Sequence, residues 1–201
     1  MSTLNVTALK HESAGVDNLV LDSSGNTIMP YGSSLSFNSP TNQYISADAN
    51  NLYLGTGNLY RIKVDTAGCV TMPYQPCFIG THNNQYASNF TGGSIIPVNY
   101  AYTNIGNHFN TSTYTFTVPV SGIYEVIMSD IGTSTTDNAG IGIYVNGSVG
   151  TKYYMNSTRD KLNVALIYLT QNDAVTFRVV EGSCTLYGSS YYGRYQIRLA
   201  G

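Results

Sequence analysis

The chain has 201 residues, of which only 10% are charged, and its formal net charge is −2. The nine Lys and Arg residues form no basic stripe, which argues against nucleic-acid binding. No run of about 20 apolar residues predicts a membrane helix, and the first residues lack the basic start and apolar run of a secretory signal. Abundant Thr, Tyr, Asn and Gly, without helical periodicity, predict an all-β protein.

Residues 1–74 form the first predicted domain, an arm built from a repeated β-hairpin. Residues 18–32 (NLVLDSSGNTIMPYG) align with residues 61–75 (RIKVDTAGCVTMPYQ), and a weaker third copy is predicted at residues 44–54. In each full copy an alternating apolar strand leads to an Asp-x-x-Gly turn, and the returning strand ends at a proline. The matched positions are Leu19 with Ile62, Leu21 with Val64, Asp22 with Asp65, and Gly25 with Gly68.

The arm contains few large apolar residues, so one chain alone is not expected to bury the apolar faces of its hairpins. We therefore expect three chains to associate and to enclose Leu19, Leu21, Ile28, Ile62 and Val64 about a common axis. The alternative is a small separate β domain in a monomer.

Two short motifs of the arm suggest an origin for the chain. Asp-Ser-Ser-Gly at residues 22–25 and Met-Pro-Tyr-Gln-Pro at residues 72–76 resemble motifs in virion structural proteins of tailed bacteriophages, particularly phages of marine cyanobacteria. The resemblance implies a virion protein that is made in the host cytoplasm, with residues 1–74 contacting other virion proteins.

Residues 103–126 are predicted to form a strand, a tight loop, a second strand, a sharp turn and a third strand. Apolar and polar residues alternate from Tyr114 to Val118, and the turn follows because proline has no N–H to donate and Gly122 accepts a positive φ. The characteristically spaced residues are Asn104, Gly106, Phe109, Phe116, Pro119, Gly122 and Tyr124.

This spacing resembles the signature of the globular head of complement subcomponent 1q, a relative of the tumour-necrosis-factor fold. The resemblance covers residues 75–201 and implies a head domain that is a ten-strand jelly-roll sandwich of two antiparallel sheets and assembles as a homotrimer. Residues 166–179 are similar to the family's strand, polar turn and strand. Asn146-Gly147 independently predicts a tight hairpin in this domain.

No catalytic or metal-binding constellation is evident in the sequence. The three histidines are far apart, the three cysteines contain no CxxC pair, and no Gly-x-Ser-x-Gly elbow or phosphate-binding loop occurs. None of the eleven acidic residues lies in a context that indicates a paired catalytic carboxylate. We therefore expect no cofactor, no metal ion and no enzymatic activity.

Two polar stretches of the head are candidate binding surfaces. Asp130, Asp137 and Asn138 bracket the loop SDIGTSTTDNAG, whose oxygen atoms suit calcium, although a solvated turn is the favoured interpretation. Tyr191 and Tyr192, flanked by Ser and Gly, are the tyrosines expected to be most exposed; most of the others are expected in strands. A tyrosine offers a flat apolar ring and a hydroxyl, which suits a glycan.

These observations predict a phage virion protein that forms a trimeric short fibre or spike and contacts a host-surface glycan through head loops. One alternative is a capsid decoration protein that stabilises the shell. Another is a secreted complement-like or cytokine-like ligand, which the missing signal peptide and collagen repeat disfavour.

Overall fold

The computed structural model describes residues 8–9, 19–24, 26–29, 34–37, 43–82, 88–130, 132–134, 139–155, 161–187 and 193–200. These residues form β-strands joined by turns, without a helix. The all-β prediction is therefore confirmed. The chain divides into two compact units, residues 1–74 and residues 75–201, which are called the arm and the head below.

The first sheet of the arm has the order β1-β2-β3 and is antiparallel. Its strands are β1 (Ala8–Leu9), β2 (Leu19–Leu21) and β3 (Thr27–Ile28). Asp22 closes the β2–β3 turn, because its Oδ1 accepts hydrogen bonds from the N–H groups of Ser24 at 2.9 Å and Asn26 at 2.8 Å. Gly25, the predicted turn glycine, lies outside the described residues.

The second sheet of the arm is a five-stranded antiparallel meander in which each strand pairs with the next. Its strands are β4 (Ser34–Phe37), β5 (Gln43–Ala47), β6 (Asn51–Thr56), β7 (Leu59–Asp65) and β8 (Val70–Thr71). Asp65 closes the β7–β8 turn by accepting the N–H groups of Ala67 and Cys69 at 2.9 Å, and Gly68 supplies a φ of 81°. Because Asp65 and Asp22 bind equivalent turn amides, the two aligned segments share one turn chemistry.

The head consists of two five-stranded antiparallel sheets and a smaller third sheet. The orders are β11-β9-β21-β14-β18 (the front sheet), β12-β13-β19-β16-β17 (the back sheet) and β10-β20-β15. The strands are β9 (Cys77–Thr81), β10 (Ser88–Thr91), β11 (Tyr100–Ile105), β12 (Phe109–Asn110), β13 (Thr115–Thr117), β14 (Gly122–Asp130), β15 (Gly132–Ser134), β16 (Ala139–Val145), β17 (Ser148–Met155), β18 (Lys161–Leu169), β19 (Ala174–Glu181), β20 (Ser183–Leu186) and β21 (Arg194–Leu199). The front and back sheets are the predicted ten-strand jelly roll, and the third sheet was not predicted.

The core of the head consists of side chains that alternate along the strands of the front and back sheets. Phe78 of β9 stacks on Phe109 of β12, with 3.7 Å between ring centroids, and Phe177 of β19 lies 4.8 Å from the ring of Tyr195. All four are buried. Burial of each large apolar side chain is worth about 1.5–3 kcal/mol, so these contacts between strands distant in sequence hold the sandwich together.

Two local predictions in the 103–126 segment are wrong. Tyr114 was placed in a strand, but its φ is +57° and β13 begins at Thr115; the turn that precedes β13 imposes this conformation. Gly122 was expected to adopt a positive φ in the turn, but it is the first residue of β14, paired with Leu169, and its φ is not positive. The turn before β14 is therefore made without a left-handed glycine.

Candidate interaction surface

Asn104 organises the loop between β11 and β12. Its Nδ2 donates a hydrogen bond to the Phe109 carbonyl at 2.8 Å, and its Oδ1 accepts the Phe109 N–H at 3.1 Å. Gly106 has a φ of +80°, and a Cβ there would meet the imidazole of His108. Burial lowers the pKa of His108, so the ring is favoured in its neutral form. These signature residues shape a loop and assemble no catalytic group.

Tyr124 fixes the second turn of the signature segment. Its ring is fully buried beside Phe116, and its hydroxyl donates a hydrogen bond to the Val120 carbonyl at 2.8 Å. Burial raises the pKa of Tyr124. The carbonyl of Pro119 accepts a hydrogen bond from Nε2 of Gln171 at 3.1 Å, which ties this turn to the β18–β19 turn.

Asn146 connects the β16–β17 hairpin to the β18–β19 turn. Its Nδ2 donates to Oδ1 of Asp173 at 2.7 Å, and its Oδ1 accepts the N–H of Ala174 at 2.8 Å. The other carboxylate oxygen of Asp173 accepts the N–H of Thr170 at 2.8 Å. The predicted Asn-Gly hairpin is present, with Asn146 and Gly147 both at positive φ, and its asparagine also connects two loops.

The outer face of the front sheet carries an apolar row along the edge strand β18. The row consists of Leu162, Val164, Leu166 and Tyr168, which are 54–69% exposed; they are called the β18 row below. On the neighbouring strand β14, Ile123 lies opposite Tyr168 and is also exposed. Four large apolar side chains in one exposed line are unusual on a monomer and indicate a contact with another protein surface.

The β18 row was not predicted from the sequence. The sequence nevertheless contains a pattern that indicates it: residues 162–169 (LNVALIYL) are apolar at both alternating sets of positions, except for Asn163. A near-continuous apolar run is typical of a strand covered on both sides. Among the described residues of the head, only the inner side of β18 is covered, by the sandwich core, so the outer side is available for a partner.

The centre of the same outer face is polar. Arg198 of β21 and Glu125 of β14 form an ion pair of 2.9 Å, and Nε2 of Gln196 lies 3.4 Å from Glu125. The hydrogen bond to Glu125 raises the pKa of Arg198. Burial raises the pKa of the Cys77 thiol on the adjacent strand β9. This polar centre separates the β18 row from the opposite edge of the sheet.

The opposite edge strand, β11, presents exposed aromatic rings. Tyr100 and Tyr102 pack edge to face, with 5.0 Å between ring centroids, and the guanidinium of Arg194 lies 5.9 Å from the Tyr102 ring. Both tyrosines are exposed. The front sheet therefore has a mainly aliphatic row at one edge and an aromatic surface at the other, and a head-to-tail contact between copies joins two such different surfaces.

The residues predicted to bind a glycan or a cation are mostly outside the described part of the chain. Asp130 is the last residue of β14, and its side chain is not described. Asp137, Asn138, Tyr191 and Tyr192 lie outside the described residues. Within the described ranges, no cluster of three or more His, Cys, Asp or Glu side chains could hold a metal ion, and no helix could span a membrane.

The sandwich and its exposed front sheet define a jelly-roll module of the complement 1q and tumour-necrosis-factor type. The chain belongs to the C1q domain family, whose model matches residues 77–196. Domains of this type commonly form trimers and are generally non-enzymatic binding or structural modules. No curated protein sequence significantly matches the chain.

Solved structures are similar to the head at low sequence identity. Eiger TNF from S. frugiperda is 11% identical, with a TM-score of 0.51, and the match covers 63% of this chain and 93% of that one. The globular domain of zebrafish complement 1qA is 14% identical, with a TM-score of 0.46 over 63% and 98% of the two chains. Murine APRIL is 14% identical, with a TM-score of 0.47 over 62% and 99%. The likeness to Eiger TNF shows a shared fold.

Proposed function

We propose that the chain is a structural protein of a bacteriophage virion, in which it forms a homotrimeric short fibre or spike. Its head self-associates through the front sheet, its arm attaches it to other virion proteins, and its head loops contact a glycan on the host surface. The β18 row is the observation that carries the self-association, because four exposed apolar side chains on one sheet edge call for a protein partner.

A closed three-membered ring suits the two dissimilar edges of the front sheet. In a head-to-tail contact the β18 row of one chain packs on a different surface of the next chain, and a rotation that closes the ring leaves no row exposed. The aromatic edge at Tyr100 and Tyr102 supplies exposed rings on which the β18 row can pack. Membership of a family that commonly forms trimers supports three as the number of copies.

A charge in the β18 row tests the self-association. The unchanged chain should have a mass in solution of about three times 21.8 kDa. Leu166→Asp should give monomers that remain folded, because Leu166 is 69% exposed within one chain and the new carboxylate would be buried only between chains. Light scattering measures the mass and circular dichroism the fold.

Val149→Asp is the matched control. Val149 is an exposed apolar residue of β17, in the back sheet, so its replacement should leave the trimer intact. A monomeric unchanged chain, or a trimer that survives Leu166→Asp, would contradict the proposed interface.

The virion role rests on the phage-like motifs of the arm and needs separate tests. An antibody against the chain should label phage particles, and labelled trimers should stain host cells. Replacing both Tyr191 and Tyr192 by Ala should reduce staining while the mass of the trimer is unchanged. Absence of staining, combined with less stable particles when the protein is removed, would instead favour the capsid-decoration role.

A further inference from the structure

One face of the five-stranded arm sheet is apolar and open to solvent in the described chain. The register aligns Leu35, Ile45, Leu54 and Ile62 side by side across β4 to β7. Leu52, Val64 and Val70 form the next row of the same face. The leucines at 35, 52 and 54 and the valine at 70 are 41–59% exposed. These two rows are called the arm apolar face, and they contain no charged residue.

The opposite face of the sheet is covered by its own tyrosines. Tyr53 stacks on Tyr60, with 3.9 Å between ring centroids, and donates a hydrogen bond to Oδ2 of Asp48 at 2.7 Å. The ring of Tyr44 lies over Gly55, where a Cβ would collide with it. The tyrosine rings therefore pack on one another and on the sheet within one chain, although Tyr60 is still 47% exposed.

We propose that the arm apolar face packs against the same face of the two other chains in the homotrimer, so that three arm sheets enclose one apolar core. This inference rests on the proposed trimer. It keeps Ile62 and Val64 of the predicted axial set, and it leaves out Leu19, Leu21 and Ile28, which lie in the other sheet of the arm. The uncharged character of the face fits an equally uncharged partner surface, which an identical chain supplies.

The size of the face favours copies of the chain over an independent partner. Five strands spaced by about 4.8 Å, each contributing about five residues of 3.3 Å, give a projected area of roughly 400 Å². A stable interface between separate proteins usually buries about 800 Å² per partner. The arm apolar face is therefore too small to capture a free protein tightly.

Covalent connection to the head compensates for the small area of the arm apolar face. Only residues 72–76 connect β8 to β9, so three arms attached to one trimeric head are confined near one another. Short connections give effective concentrations in the millimolar range, on the order of 10²–10⁴ times more favourable than separate binding. Small apolar faces that would not associate when free can then remain together.

Thiol accessibility tests the inference in the full-length chain. Leu52→Cys lies on the arm apolar face, and Thr71→Cys is an exposed control on the opposite face. Both are made in a Cys69→Ser background, because Cys69 is an exposed thiol. Alkylation with a maleimide, located by peptide mass spectrometry, should be at least tenfold slower at position 52 than at position 71 in the native trimer, and equal in denaturant.

Each outcome decides the inference. Alkylation that is at least tenfold slower at position 52 than at position 71, in a chain that light scattering shows to be trimeric, supports three packed arms. Equal alkylation rates in a chain that light scattering shows to be trimeric would overturn the inference and leave the proposed trimer standing. If position 52 is protected from alkylation only in assembled particles, the arm apolar face contacts another virion protein, and the inference is also overturned. A monomeric full-length chain would refute both proposals.

Discussion

Replacement of Asn104 by alanine tests whether this side chain holds the loop between β11 and β12. The side-chain amide of Asn104 pairs with both the N–H and the carbonyl of Phe109, at 3.1 and 2.8 Å. Asn104 is half-buried, so water can replace only part of this pairing in Asn104→Ala. Each unsatisfied main-chain group costs about 1–3 kcal/mol. We therefore expect a loss of about 2–4 kcal/mol in the free energy of unfolding.

Asn110→Ala provides the matched control. Oδ1 of Asn110 accepts the N–H groups of Ser112 at 2.8 Å and Thr113 at 3.1 Å, but Asn110 is exposed and water can take its place. We expect a loss of about 0.5–1 kcal/mol. Urea denaturation of both variants at one protein concentration measures the difference, since the stability of an oligomer depends on concentration. Equal losses, or a loss below about 1 kcal/mol for Asn104→Ala, would refute the assigned role.

Three further predictions follow from the head. Burial raises the pKa of Tyr124 above its ordinary value, which is near 10, so the stability it contributes is complete below pH 10 and is lost as the pH rises through the folded-state pKa. Between pH 9 and pH 11, the free energy of unfolding should fall less for Tyr124→Phe than for the unchanged chain. An equal fall in both proteins would contradict this. Gly106→Ala should be less stable than Gly147→Ala by about 1–2 kcal/mol. Both glycines have a positive φ, but only at Gly106 would a Cβ meet His108. Equal urea midpoints for the two variants would count against this prediction. A protein of residues 75–201 alone should be soluble and trimeric by light scattering yet absent from assembling particles, and normal incorporation would show that the arm is not the anchor.

The fold of the head was largely predictable, because its signature residues are constrained by local geometry. The Asn104 pairing, the positive φ of Gly106 and the buried ring of Tyr124 each need one residue type at one position. Those requirements leave a recognisable spacing in the sequence. The Asp22 and Asp65 turns were predictable for the same reason, since each carboxylate binds main-chain amides within four residues.

Two kinds of feature were not predictable: a turn formed by residues with strand-like composition, and pairing between distant segments. Tyr114 has the composition of a strand residue, yet a turn imposes a φ of +57° on it. Residues 95–98 (IIPV) have the apolar composition of a strand, but among them only a single bridge, from Ile95 to Arg178, forms. The third sheet pairs β10 with β20, nearly a hundred positions apart. Its strands are four residues or shorter, too short to show a period.

The exposed edge of the front sheet was missed because a pattern reports apolar character but not what covers it. The outer residues Leu166 and Tyr168 are as apolar as their inner neighbours Ile167 and Leu169. Only the three-dimensional arrangement shows that Leu169 is buried while Leu166 is exposed. The candidate surface therefore depended on the structure, whereas the family resemblance did not.

The position of β21 in the front sheet determines the order in which the protein can fold as it is synthesised. Each strand of the arm meander pairs with its neighbour in the chain, so its contacts can form while the ribosome is still translating the head. In the front sheet, β21 lies between β9 and β14, with Ile197 opposite both Phe78 and Val126. Such non-local pairing is slow. Until β21 leaves the ribosome, β9 and β14 lack their common neighbour, and the nascent head exposes two unpaired strand edges that are prone to aggregate.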